Sequence, residues 1–335
     1  MVHERQSVRE WQTFLKETDH NIPSGERDSM ASSLPASSAV IDPLLFVHYF
    51  PRSKSDVKNA TPLWLYIAVT FAVSWSVFIM LALNHHEVIF LFRDDAEHAR
   101  TQDLWHALGG LGPLTGALVV LRFCYTKGNR RWFWQGYRFR SLTATGWTLA
   151  LSPLILFAFA LLLSRLIEHK WFDLTGHLVN TGLDQPLNLL AWLLPSLFYG
   201  FGEEAGWRGF ALPFLQSKHS AFTATVILAS IWACWHIPSF FYRYELKGVA
   251  YAGFLMGLFA GAVWLTFLYN YTKGSTLSAS IWHLTFNIVS MLSKEEVLLS
   301  AIMSTTIMAS AIFVLIRYKP ENLTSIQRTS LIHSH

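Results

Sequence analysis

"FYGFGEEAGWRGF", residues 198–210, sets two adjacent carboxylates and an arginine inside a run that otherwise reads as a membrane-buried helix. On insertion scales a charge at the bilayer centre costs about 2.5–3.5 kcal/mol, so three together oppose insertion by up to roughly 10 kcal/mol. Helical geometry offers a partial remedy. Residues four apart share a face, whereas adjacent ones point about 100° apart. Glu204 can therefore meet Arg208, while Glu203 cannot meet it equally well. A carboxylate left without a fixed partner in a low-dielectric cavity is a candidate general base, and that candidate is Glu203. The competing reading is structural: a buried polar knot that pins helices together.

The rest of the chain supports the membrane setting. Of 335 residues, 52% are hydrophobic and only 14% are charged, and 14 are tryptophan. Apolar stretches of roughly 20 residues, each enough to cross a ~30 Å hydrocarbon core, recur along most of the sequence. Candidate spans fall at 63–83, 104–125, 145–167, 187–215, 220–241, 249–271, 275–293 and 298–317. The expected fold is all-α, a polytopic membrane protein of about eight transmembrane helices enclosing a polar cavity.

Three regions follow: a polar, disordered cytoplasmic tail over 1–60, an intramembrane domain over 61–318, and a C-terminal tail over 319–335. Within the first tail, "PLLFVHYF" (43–50) is too short to span and is expected at the interface. "PLWLYIAVTFAVSWSVFIMLAL" (62–83) is too long for the apolar region of a cleaved signal and reads as an anchor. Lys and Arg concentrate before the first span, in the second connection (Lys127, Arg130, Arg131, Arg138, Arg140) and at the C-terminus. With eight spans these share one side, which the positive-inside rule makes cytoplasmic.

A net charge of +4 spread over connections, with no basic face, argues against nucleic-acid binding. Cys124 and Cys234 have neither the number nor the spacing for a disulfide framework or a cysteine zinc site. His106, like His85 and His86, falls at a span end or connection and reads as interfacial or solvated. The four glycines around the charged motif, Gly200, Gly202, Gly206 and Gly209, permit either close helix packing or local opening.

Two further segments change the weighing of the charged motif. "SIWACWHIPSFF" puts His236 four residues after Trp232, and "SASIWHLTFNIV" puts His283 and Asn287 on one helical face. A lone histidine on an apolar helix is more often a satisfied core residue. Two histidines, an asparagine, two glutamates and an arginine on three spans form a constellation with complementary chemistry. Glu203 and His236 can deprotonate a water; His283 and Asn287 can donate hydrogen bonds to a developing oxyanion. No serine sits in a nucleophile elbow and no Cys–His pair is suggested. Glu203, His236 and His283 also make an alternative zinc ligand set with an open fourth position, although HExxH is absent.

"EEAGWR" fits EExxxR, "WACWH" fits FxxxH with Trp232 in place of Phe, and "HLTFN" fits HxxxN, in that order over consecutive spans. The chain thus resembles the CPBP (ABI) family of intramembrane proteases, which includes the type II CAAX prenyl endopeptidases, over about residues 62–315. The resemblance implies an intramembrane endopeptidase in which Glu203 and His236 activate water, His283 and Asn287 hold the oxyanion, and Glu204, Arg208 and Trp232 support the site. It implies a glutamate-dependent reaction with no cofactor firmly required, zinc being left open. The implied partners are membrane lipids and a peptide or protein substrate, membrane-anchored or prenylated in some relatives. The implied location is a prokaryotic plasma membrane with both termini cytoplasmic. Prokaryotic relatives in bacteriocin self-immunity supply the alternative, a non-catalytic immunity or peptide-binding protein using the same polar cluster. A proton-coupled transporter would favour duplicated halves, and no internal repeat is found.

Overall fold

The computed structural model describes residues 61–93, 99–125, 127–244, 246–294 and 296–329. All belong to one compact unit, Lys54–His335. The tail over 1–60, with its 43–50 segment, lies outside the described residues.

Among the described residues every regular element is helical, as the apolar runs predict. In chain order these are α1 (Thr61–His85), α2 (Ala99–Gly109), α3 (Gly112–Cys124), the short α4 (Lys127–Gln135), α5 (Ala144–Ala150), α6 (Ser152–Glu168) and α7 (Leu174–Asn180). Next comes α8, residues 186–216, whose winding changes along its length. It is α-helical over Pro186–Leu197, π-helical over Phe198–Glu203, α over Glu204–Gly206, π over Trp207–Ala211 and α again over Leu212–Gln216. Then follow α9 (Ala221–Trp235), extended by a 3-10 turn (Ile237–Phe241), α10 (Ala250–Tyr271), α11 (Thr276–Leu292) and α12 (Val297–Arg317).

Every one of the eight expected segments is helical, yet length and apolarity qualify fewer of them as spans. Five helices are long and apolar enough to cross a membrane, and a sixth qualifies if α5 and α6, bent by 56° at Leu151, count as one. The two that fall short are α8 and α11. The first carries three charges and two stretches of π winding; the second has 17 residues, about 25 Å at 1.5 Å per residue, short of a ~30 Å core. These same two elements carry five of the six polar residues singled out in the sequence. The apolar criterion therefore loses the segments that carry most of the candidate site residues.

Helix α8 is the centre of the packing. Its Trp207 and Phe210 are fully buried and meet Tyr66 of α1 at ring separations of 5.8 and 5.1 Å. Trp235 of α9 closes the same cluster, 6.1 Å from Trp207 and 5.1 Å from Phe78. A second core joins α10, α11 and α12 through Leu265, Leu268, Trp282 and Ile307. Large apolar side chains on the outer faces of α6 and α12, among them Ile155, Leu166, Phe313 and Ile316, are exposed, as lipid-facing residues must be.

Glycine lets α8 approach its neighbours. A Cβ on Gly200 would lie 2.8 Å from both Leu284 Cβ and the Ser280 carbonyl of α11, and one on Gly206 would strike the Pro113 backbone of α3. Close packing accounts for both positions.

The segment after α12 is fixed to the body. The Ala221 and Phe222 amides, at the start of α9, donate to the carbonyls of Glu321 and Pro320, each at 2.9 Å. Fully buried Gln216, the last residue of α8, donates to Asn270 Oδ1 at 3.0 Å and to the Thr329 carbonyl at 2.6 Å, and accepts from Asn270 Nδ2 at 2.7 Å. Arg328 Nε donates to the Gln216 carbonyl at 3.1 Å.

Gly206→Ala should destabilise the fold by about 1–3 kcal/mol, because the intruding methyl meets backbone that cannot rotate away. Gly253→Ala is the control, since a Cβ there meets nothing within 4 Å. Thermal midpoints of the purified protein in detergent should fall for the first variant and hold or rise slightly for the second.

Candidate active site

Glu203 ends the first π stretch and Glu204 opens the short α segment between the two, and their side chains lie on different surfaces. Glu204 and Arg208 are fully buried, and Arg208 Nη1 donates to Glu204 Oε1 at 2.9 Å, the (i, i+4) pair expected from the sequence. The same oxygen accepts from His283 Nδ1 at 2.8 Å, which ties α8 to α11. The Arg208 guanidinium also lies over the Trp232 ring, 5.0 Å from its centroid.

Glu203 points the other way, into a cavity of about 240 Å³. Both hydrogen bonds it receives fall on Oε2, from Trp232 Nε1 at 3.0 Å and from Trp207 Nε1 at 3.3 Å. Oε1 receives none from the described residues. The indole donors fix the carboxylate's orientation without neutralising it.

His236, His283 and Asn287 line the same cavity, with Trp232 between the two histidines. At the end of α9, His236 Nδ1 lies 2.8 Å from the Trp232 carbonyl. A carbonyl can only accept, so Nδ1 carries the proton and a neutral ring keeps its lone pair on Nε2. His283 is held in the analogous way by Glu204, so for Nε2 to donate as well the ring must carry both protons, with Glu204 as the facing counter-charge. The side chain of Asn287, one turn further along α11, makes no hydrogen bond with another described residue and lines the cavity.

Of the seven residues singled out in the sequence, five line the cavity: Glu203, Trp232, His236, His283 and Asn287. Glu204 and Arg208 sit behind that wall. Trp232 does more than the aromatic wall expected of it, because its N–H is the shorter of the two donors to Glu203 and a phenylalanine there would have none. Glu203, His236 and His283 do not gather into a three-ligand zinc centre in this conformation. Among the described residues no three His, Cys, Asp or Glu side chains converge as metal ligands would.

Sequence reasoning missed the rest of the cavity lining. His106, expected at an interface, is buried and stacked on Phe78 at 4.6 Å, and its Nδ1 is hydrogen-bonded to the Tyr242 hydroxyl. Beside it, Arg243 Nη1 donates to Asp103 Oδ1 at 2.5 Å, joining α2 to the chain that follows α9. His106, Tyr199, Arg243 and Tyr244 all line the cavity. The one local signal was "FFYRYE" (240–245), an arginine among aromatic rings just past His236.

Trp232→Phe removes the donor to a buried carboxylate while keeping a ring in place. A double-mutant cycle with Glu203→Gln, read from unfolding in detergent, should give a coupling of about 1–3 kcal/mol between the two residues. A coupling near zero would mean that the indole acts by bulk alone.

Residues 185–289 match the family model described as Type II CAAX prenyl endopeptidase Rce1-like, and this span contains all seven residues. "CAAX prenyl protease 2" of Methanococcus maripaludis is 31% identical over 93 residues, which cover 26% of this chain and 34% of that protein. The alignment thus spans about a third of the length of the curated relative. From the start of α8 to the end of the α11 motif, the chain is therefore similar to the Rce1-like type II CAAX prenyl endopeptidases.

Proposed function

We propose that the chain is an intramembrane endopeptidase that hydrolyses a peptide bond by direct attack of water. The observation that carries this reading is the asymmetry of the two adjacent glutamates. Glu204 is consumed by Arg208 and His283, whereas Glu203 is held by two neutral donors with one oxygen open to the cavity. Glu203 and His236 Nε2 are the acceptors that take a proton from the attacking water. His283 and Asn287, on the α11 wall, are the donors for the oxyanion that forms as the carbonyl becomes tetrahedral. Collapse of that intermediate breaks the C–N bond, and the proton held by Glu203 or His236 passes to the leaving amine. No side chain forms a covalent intermediate.

A cavity of about 240 Å³ is smaller than the ~300–1,000 Å³ typical of ligand pockets. It accommodates the water and the scissile group; an extended substrate needs the mouth to widen. The matching family and relative favour a substrate of the CAAX type or another peptide processed at the membrane. The basic connections orient both termini to the cytoplasm, and a prokaryotic plasma membrane, with its lipids against the exposed apolar faces, is the proposed setting. The alternative, a non-catalytic immunity or peptide-binding protein, uses the same cavity but needs no base in it.

Purified protein in detergent should cleave members of a quenched peptide library. Glu203→Gln and His236→Ala should each lower the rate by about 10²–10⁴-fold, the usual contribution of a positioned base. Cleavage that survives a strong chelator is expected; loss on chelation with recovery on adding zinc would assign the three candidate ligands to a metal. Undiminished cleavage by Glu203→Gln would overturn the assignment of the base, and peptide binding without hydrolysis would favour the immunity reading.

A further inference from the structure

The cavity has a second functional wall. Three of its lining side chains carry a formal charge: Glu203, Arg243 and Lys294, the last two cationic. Arg243 is not a loose surface residue. Asp103 engages Nη1 at 2.5 Å, and the side chain retains 21% exposure. A guanidinium has five N–H donors in a rigid fork, so one carboxylate partner leaves donors for a second. Tyr199 lines the same cavity, and its hydroxyl is buried and without a hydrogen-bond partner among the described residues. An orphaned buried O–H and a partly used guanidinium lining one cavity make a site that lacks an acceptor.

Resting on the endopeptidase reading, we infer that Arg243 and Tyr199 bind a carboxylate of the substrate peptide and so set how far from that carboxylate the chain is cut. A carboxylate accepts two parallel bonds from an arginine fork, and an oxygen left over can accept from Tyr199. Asp103 is the positioning residue, because it holds the fork against α2. Lys294, exposed at the mouth, adds attraction without geometry. The carboxylate has two sources, a free chain terminus or an acidic side chain, and both present the same group to the fork.

The test is binding, kept separate from hydrolysis by working in the Glu203→Gln background. Three dansyl-labelled apolar hexapeptides serve as probes: one with a free C-terminal carboxylate, one amidated, and one amidated with an aspartate at its penultimate position. The free acid, the aspartyl peptide or both should bind at least about tenfold more tightly than the plain amide, and which of them does identifies the source. Arg243→Gln should abolish that preference without weakening the amide. Arg243→Lys should restore only part of it, since it returns charge without the fork. Tyr199→Phe should lower it several-fold and serves as the decisive variant if Arg243→Gln proves misfolded by its elution profile. Equal affinity for acids and amide, or a preference that Arg243→Gln and Tyr199→Phe leave intact, would overturn the inference. A preference that persists in a protein whose wild type cleaves nothing would sink the endopeptidase reading and leave the anchor standing.

Discussion

A single carboxylate oxygen organises this molecule. Glu204 Oε1 accepts from Arg208 on its own helix and from His283 on α11, all within the buried interior. An arginine and a glutamate removed from water each carry a desolvation cost of several kcal/mol, which only a short, well-aligned pair offsets. Here the pair also recruits a group from another helix, so the register of α8 against α11 is fixed by charge as well as by shape. The glycine contact at Gly200 then lets the two helices close to that distance. The position of His283, and of Asn287 a turn beyond it, follows from a bond made to a residue that never touches the cavity.

This division of labour explains why two glutamates stand side by side. One is spent on building the wall, and its neighbour, turned to another surface of the same helix, faces the space the wall encloses. Trp232 links the two roles, donating its N–H to Glu203 while its ring lies under Arg208. The indole is a neutral donor, so it orients Glu203 without claiming its charge. The second wall, from Asp103 to Arg243, follows the same logic with the signs exchanged: a charge fixed by a partner behind it and open toward the cavity in front.

Much of this was legible in the sequence. Apolar runs located all eight helical segments, and the (i, i+4) spacing of Glu204 and Arg208 implied their pairing. The ordered spacings around His236 and His283 carried the family resemblance, and the five cavity residues came together. The winding of α8 was not legible, because π and α turns use the same residue types and differ only in which carbonyl each amide reaches. The bend at Leu151 did have a local signal, Ser152 and Pro153 immediately after it, which the overall apolarity of the run masked. The second wall was missed for a different reason. Asp103, His106, Tyr199 and Arg243 lie in three separate segments, each unremarkable alone, and only the packing of α2 beside α8 sets them together.

The stitching of Gln216 to Asn270, Arg328 and Thr329 has a consequence in time. The last residue of the site-bearing helix is fully buried, and its amide and carbonyl are satisfied by groups made 54 to 113 residues later. Until residue 329 has left the ribosome, that end of α8 faces unpaired polar groups in an apolar setting and has reason to stay loose. A nascent chain therefore carries all seven singled-out residues long before the end of the helix that bears three of them is locked in place.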